Sequence, residues 1–218
     1  MGRVAEGRFF RKLGVADPIP PSFRTHLDDA ERWFDDHGRP WSASRWVAVD
    51  CANSLVRIRH RRSPTLRSDV LARGFRAAGV KRMLLVASSA GDHVDAEIAR
   101  RFAAGRPDEG FFLATYAEAV AETLRRHELA SCGEHLLPHY APGYAGWDIE
   151  DLSVLVHLMD SDRAPITCPA GSVLRPLRST IVVAGVPAVA IEDTHRYWDR
   201  FGGRTCTEVC RPCTCSTP

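Results

Sequence analysis

The sequence predicts an α+β fold: one domain in which short apolar runs are interspersed with amphipathic helices, followed by a Cys-rich tail. Three observations predict it. Apolar or alternating runs of strand length recur at Trp46–Asp50, Leu55–Arg59, Arg82–Ala87 and Thr180–Ala184. Other segments space their apolar residues as a helix does, most regularly over Ala114–His127. No internal repeat or long linker divides the 218 residues, a length that suits one large domain or two small ones. The expected division is an N-terminal arm over 1–25, the α+β domain over 26–203 and the tail over 204–218.

Residues 1–25 are rich in Arg and Pro, with Pro18, Pro20 and Pro21 close together, and read as a loosely attached arm. Asp28–Asp36 reads as a short helix with Trp33 and Phe34 on its buried side. Trp46–Asp50 and Leu55–Arg59 read as strands, the second alternating aliphatic residues with Arg as a half-buried strand does. Ser68–Ala78 has helical spacing, and Gly79 stops it. Arg82–Ala87 is an apolar run bounded by small residues, which suits a buried strand. The Asp92–Ala104 helix places Val94, Ile98 and Phe102 on one face, and the Ala114–His127 helix forms a stripe of Ala117, Val120, Ala121 and Leu124. Over Asp148–Met159 a further helix turns Leu152, Leu155, Val156 and Met159 inward, with Asp148, Glu150 and Asp151 capping and charging its first turn. Thr180–Ala184 and Ala188–Ile191 flank Gly185-Val-Pro187 and predict two strands joined by a turn.

Composition narrows the classes of function. With 44% hydrophobic and 26% charged residues the chain has the balance of a soluble globular protein. A formal net charge of +2 sets up no global field toward nucleic acid or a membrane. The basic run Arg57, Arg59, His60, Arg61 and Arg62 has no interleaved aromatics and reads as a solvated edge. No apolar run approaches the roughly 20 residues of a membrane span, and the segment from Met1 to Phe10 lacks the apolar core of a signal peptide. A cytoplasmic protein with neither a nucleic-acid nor a membrane partner is therefore expected. Cys132, Glu134, His135 and His139 invite a thiol or zinc reading, but Pro138 breaks any helix that would align the two histidines. Loop histidines ahead of a ligand pocket are the expectation there.

Two segments carry the chemistry of the middle of the chain. Tyr116-Ala-Glu-Ala-Val-Ala-Glu-Thr-Leu124 is amphipathic, and Pro138-His-Tyr-Ala-Pro-Gly-Tyr144 follows it after a loop. Together they resemble the activation domain of cobalamin-dependent methionine synthase, which has a helix reading Ala-Glu-Ala-x-Ala-Glu and a later loop reading Arg-x-Ala-Pro-Gly-Tyr. The resemblance runs over roughly residues 80–185. It takes in Leu84-Leu-Val-Ala-Ser-Ser-Ala-Gly-Asp-His93, Phe111-Phe-Leu-Ala-Thr-Tyr-Ala-Glu118 and Ser172-Val-Leu-Arg-Pro-Leu-Arg-Ser179 in the family's order. It implies a single domain with a twisted, largely antiparallel sheet flanked by helices, and a site for S-adenosylmethionine (SAM). By that resemblance Glu118 meets the ammonium of SAM, because a charge-assisted hydrogen bond is stronger than a neutral one. Ala141 and Gly143 offer backbone groups, and Tyr144 offers a flat face and a hydroxyl. The chain departs from the pattern at two places. His139 stands where the family has an arginine, and a neutral imidazole cannot make a bidentate clamp. Val183 and Ala184 stand where a strand tyrosine is expected.

Seven cysteines are unevenly placed: Cys51, Cys132 and Cys168 are scattered, while Cys206, Cys210, Cys213 and Cys215 crowd the last thirteen residues. In a reducing compartment such a cluster reads as a metal site, and four thiolates suit Zn or an Fe–S cluster. Cys206-x-x-x-Cys-x-x-Cys213 has the radical-SAM spacing, but that motif opens a long partial barrel and only five residues follow Cys213. The resemblance therefore implies a SAM-binding accessory to a corrinoid protein or cobalamin-dependent methyltransferase, with a reductase as electron source. It would support reductive remethylation of cob(II)alamin, and a cluster in the tail would relay the electron. The alternative is a non-enzymatic metal-binding adaptor acting through the cysteines. A small-molecule methyltransferase is disfavoured by the lack of a Gly-rich strand-to-helix loop.

Overall fold

A five-stranded antiparallel sheet in the order β3-β2-β1-β4-β5 organises the molecule. The computed structural model describes every residue except 1–3, 16–17, 61–62, 160–163, 170–171, 192–193, 195 and 204–218. Its strands are β1 (Trp41–Ala52), β2 (Leu55–Ile58), β3 (Thr65–Arg67), β4 (Arg82–Ser89) and β5 (Ser179–Gly185). β1 is long enough to serve two partners: Trp41–Ala48 pair with β4, and Val49–Ala52 pair with β2. The β1–β2 hairpin closes through Asn53 and Ser54, with Asn53 at φ 52°, a conformation Asn tolerates better than most residues.

β4 lies inside the sheet, with a core on either face. Met83, Leu85 and Ala87 point into one core, and Leu84 and Val86 into another. Burial on both faces removes the alternation a half-buried strand would show, which explains the unbroken apolar run in the sequence. β5 repeats the division, with Ile181 and Val183 on one side and Val182 on the other.

On the first face pack α3 (Asp69–Ala77), α6 (Leu152–Leu158) and a 3-10 turn at Trp198–Phe201, around Phe75, Tyr140, Trp147 and Trp198. The other face receives α5 (Pro107–Ser131), whose remaining sides pack on α1 (Glu6–Lys12), α2 (Pro21–His37) and α4 (His93–Ala103). A helix covered on several sides must be apolar around much of its circumference, and α5 buries Phe112, Leu113, Tyr116, Ala117, Val120 and Ala121. Among the described residues no helix is long and apolar enough to cross a membrane.

Several expectations are corrected. The segment read as a loosely attached arm contains α1, and its Phe9 and Phe10 are each only 1% exposed, packed on α5 and α2. Two buried Phe side chains hold a segment more firmly than its Pro content suggested. Phe102, expected on the buried face of α4, is 49% exposed. No strand forms over 188–191. Ala188 instead ties back to the end of α3 through its N–H to Ala78 O, at 2.8 Å. The Asp148–Met159 helix is a 3-10 turn (Ile149–Asp151) leading into α6. Asp148 does cap it, accepting from Glu150 N at 3.0 Å, but Asp151 is buried and accepts from Arg67 N (2.6 Å) and Trp147 Nε1 (2.8 Å). In the basic run, Arg59 pairs with Asp50 at 2.6 Å, and Arg61 and Arg62 lie outside the described residues. So do Cys206, Cys210, Cys213 and Cys215.

Candidate functional site

The segment after α5 is fixed to the edge of β5. Leu137 N donates to Gly185 O (2.8 Å), Tyr140 N to Val183 O (2.8 Å), and Val183 N returns to Tyr140 O (2.9 Å). Two tandem turns follow. In the first, Tyr144 N donates to Ala141 O at 3.1 Å, with Pro142 and Gly143 (φ 89°) between them, the residue pattern of a type II turn. In the second, Trp147 N donates to Tyr144 O at 2.9 Å across Gly146 (φ 76°). Gly143 N then donates to Trp147 O at 2.9 Å and locks the two turns together. A side chain at Gly146 would also strike Val70, so close packing and backbone conformation both call for glycine there.

Aromatic packing holds this loop from the other side. The Tyr140 ring stacks on Trp147 (6.2 Å, 10°), lies 4.7 Å from Trp198 and meets Tyr144 edge-on at 5.4 Å. Trp198 Nε1 donates to Pro138 O at 2.9 Å, and the Tyr140 hydroxyl donates to Ala145 O. Tyr144 is half-buried and packs against the cores on both faces of the sheet, so it straddles the β5 edge. Ala141 joins Leu84, Val86 and Val182 beneath α5. Val183 and Ala184 are fully buried, and no tyrosine stands on this stretch of β5.

α5 supplies the facing wall. Glu118, Glu122, Arg125 and Arg126 fall at helical spacing along one side of it. Glu118 is about half exposed and forms long ion pairs with Arg178 (3.5 Å) and Lys12 (3.7 Å). Glu122 pairs with Lys12 at 3.6 Å and with Arg126. Arg125 makes no hydrogen bond or ion pair among the described residues, although it is half-buried. Its charge acts on His139, whose pKa is pushed down to about 3, chiefly because burial disfavours the charged imidazole and secondly because Arg125 is near.

The seam between α5 and the loop has one unusual property. Among the described residues, the buried side-chain nitrogens or oxygens without a hydrogen-bond partner are His139 Nε2 and the Nε atoms of Arg125, Arg126 and Arg178. Arg125 and Arg126 stand on this side of α5, Arg178 pairs with its Glu118, and His139 begins the loop. Buried polar atoms are normally satisfied, so such a concentration calls for a chemical reason. With Lys12, four cations here face two carboxylates. The seam is therefore a donor-rich, net-positive strip beside a rigid turn.

Of the residues singled out in the sequence, His139, Ala141, Gly143 and Tyr144 form one continuous structure, and Glu118 joins them through Arg178 and β5. Sequence reading missed Arg125, Arg178 and Lys12. Only the fold brings the charge of Arg125 near His139. The thiol or zinc reading of Cys132, His135 and His139 is not met: no metal-binding group of His, Cys, Asp or Glu occurs among the described residues. A cleft of about 720 Å3 lies elsewhere, between α2 and α4 beside His37, His93 and Glu97. Its Glu97 is paired with Arg100 and Arg101, and His37 stacks on Trp33, so its polar groups largely answer one another.

No family model matches the sequence, and no curated protein matches it. The fold has a solved counterpart. The crystal structure of the MetH reactivation domain bound to AdoHcy superposes with a TM-score of 0.61 at 15% identity, covering 94% of this chain and 82% of that one. This chain shares that fold.

Proposed function

We propose that this protein binds SAM on the seam between α5 and the 139–144 turn and supports reductive remethylation of a cobalamin carried by a partner protein. The observation that carries the reading is the set of buried, unsatisfied donors on that seam, in a fold whose solved counterpart holds AdoHcy. The residues fit such a ligand. Glu118 has only long ion pairs and is exposed enough to accept from an ammonium. His139 Nε2 and the guanidinium groups suit a carboxylate. Ala141 and Gly143 form the backbone of the turn beside the ligand, although Gly143 N–H and Ala141 O are already bonded within it. The Tyr144 ring is a face for a sulfonium or an adenine edge.

In this reading a reductase supplies one electron to the partner's cobalamin, SAM gives up its methyl group and leaves as S-adenosylhomocysteine, and the chain supplies position. The turn is held by backbone bonds to β5 and by the Tyr140–Trp147–Trp198 stack, so little ordering remains to be done on binding. The neutral His139 donates without adding a second charge. The acceptor of the methyl lies on the partner, so no nucleophile is required of this chain, and its contribution is orientation and exclusion of water.

Anaerobic titration calorimetry with SAM tests the proposal. Saturable binding is expected, and Tyr144→Ala should weaken it about tenfold or more while the protein stays folded, with a melting temperature lowered by the packing lost between the two cores. Full affinity in Tyr144→Ala would move the site elsewhere. Absence of SAM binding, with metal that is lost when Cys206, Cys210, Cys213 and Cys215 are replaced, would favour the adaptor reading instead.

A further inference from the structure

We infer that the uncovered half of the sheet, formed by the second half of β1 with β2 and β3, is a docking surface for an acidic protein partner, with Trp46 as its anchor. The inference is independent of the SAM reading: it concerns the end of the sheet away from β5, and its test uses no SAM.

Strand register assembles the surface. Val47 and Val49 of β1, Val56 and Ile58 of β2 and Leu66 of β3 point into the core that holds α3. Side chains alternate along a strand, so Trp46, Ala48, Asp50, Arg57, Arg59 and Arg67 stand on the opposite face. Ala48 lies across from Arg82 of β4, Asp50 lies across from Arg57, and Arg59 N donates to Ala48 O at 2.8 Å. These side chains are therefore neighbours in one array. α5 covers this face over β4, β5 and the start of β1, where Ser42 Oγ donates to Glu128 at 2.8 Å. It leaves β2 and β3 open, and no described residue of either strand is buried on that side.

Trp46 supplies the apolar part. Its neighbours two places along β1 are Ser44 and Ala48, too small to cover the indole, which is 38% exposed. The Arg82 guanidinium lies 4.9 Å from the ring centroid and pairs with Glu134, which steadies one flank of the ring. A raised indole among guanidinium groups has the composition of interface centres, where Trp and Arg are enriched.

Charge then selects the partner. Arg57, Arg59, Arg67 and Arg82 share the face with Asp50 and, from the loop after α5, Glu134. Both carboxylates are engaged, Asp50 by Arg59 at 2.6 and 2.9 Å and Glu134 by Arg82. Arg57 and Arg67 make no side-chain hydrogen bond or ion pair among the described residues. The face is net positive with two guanidinium groups to spare, and carboxylates are the complement it lacks. A second copy of this chain would bring like charges together. A nucleic acid would meet two carboxylates and one exposed aromatic, where single-strand platforms offer successive rings. An acidic protein surface with an apolar place for Trp46 meets both requirements.

The test uses the full chain and a fluorescein-labelled peptide of glutamate and aspartate with interspersed leucine, followed by anisotropy. Binding is expected, weakening with added salt and protecting Trp46 from acrylamide quenching. Arg57→Glu combined with Arg67→Glu should lower the affinity about tenfold or more, and Trp46→Ala by a similar factor. Both arginines are exposed, so the double variant should melt as the wild type does. No binding of the peptide by the wild-type protein, or full affinity in the double variant, would overturn the inference whatever a SAM titration shows. Equal binding of the same peptide with lysine in place of its acidic residues would overturn it as well. So would tighter binding of single-stranded oligothymidylate, which would make the face a nucleic-acid platform.

Discussion

His139 shows how a single side chain can be chemically tuned by its place in the fold. Its Nε2 is enclosed, and burial with the nearby Arg125 charge takes the pKa from 6.5 to about 3. The unfolded chain gains a proton on this histidine below its ordinary pKa, and the folded chain does not. Stability is therefore fully present above pH 6.5 and is lost as pH falls from there toward about 3. His139→Gln should flatten the acid side of a stability profile, read as urea midpoints between about pH 4 and pH 7. An unchanged slope would mean that the imidazole is charged in the folded protein. Arg125 and His139 are also where the sequence was least legible. Arg125 looks ordinary in its own segment, and His139 stood out only as a departure from the family's arginine; their proximity is a product of α5 and the loop folding back along β5.

At the scale of elements, the outer helices are joined to α5 through Arg101. This residue is 4% exposed and pairs with Asp29 of α2 at 2.6 Å, with Glu97 of α4 at 2.7 Å and with Glu109 of α5 at 3.8 Å. Glu97 is held at a pKa of about 2, mainly by its hydrogen bonds to Arg100 and also by Arg101, so its contribution is present above pH 4.5 and lost as pH falls toward 2. Glu97→Gln should cost about 2 kcal/mol in chemical denaturation, less than the 3–5 kcal/mol typical of a broken buried pair, since Asp29 and Glu109 remain. A loss near zero would show that the other two carboxylates suffice. Elements with local signals were legible. α3 begins at Ser68, whose Oγ accepts from Leu71 N at 3.1 Å, and β4 was an evident apolar run. Those without local signals were not. β3 has three residues, too few for a period to register, and α1 is held by Phe9 and Phe10 against Phe112 and Tyr116, about a hundred residues away.

The molecule as a whole joins a sheet with two well-filled cores to one side strip in which buried donors are unsatisfied. Natural proteins break local rules mainly at functional places, and among the described residues the unsatisfied donors are His139, two arginines of α5 and the arginine just before β5. The α+β class and antiparallel sheet were readable from periodicity and from the resemblance, while the layering was not, because the stripe of Ala117, Val120, Ala121 and Leu124 marks one buried side of α5 and not the further burial of Phe112, Leu113 and Tyr116. The backbone pairing of the 137–140 segment with β5 also couples loop and sheet. Val183 N–H is protected by Tyr140 O alone, so its hydrogen exchange reports opening of the loop. SAM should slow exchange at Val183 more than at β1 amides, and equal slowing throughout would mean that the ligand acts only on global unfolding.

That same pairing has a consequence for solubility. An exposed strand edge is a template on which another chain can add a strand. β5 is the last strand of the sheet, and its apolar residues Ile181, Val182 and Val183 would make an adhesive edge. The segment that presents His139 to Tyr144 is also the cover on that edge. A substitution that frees the turn from β5 would therefore also uncover that edge, and self-association should follow.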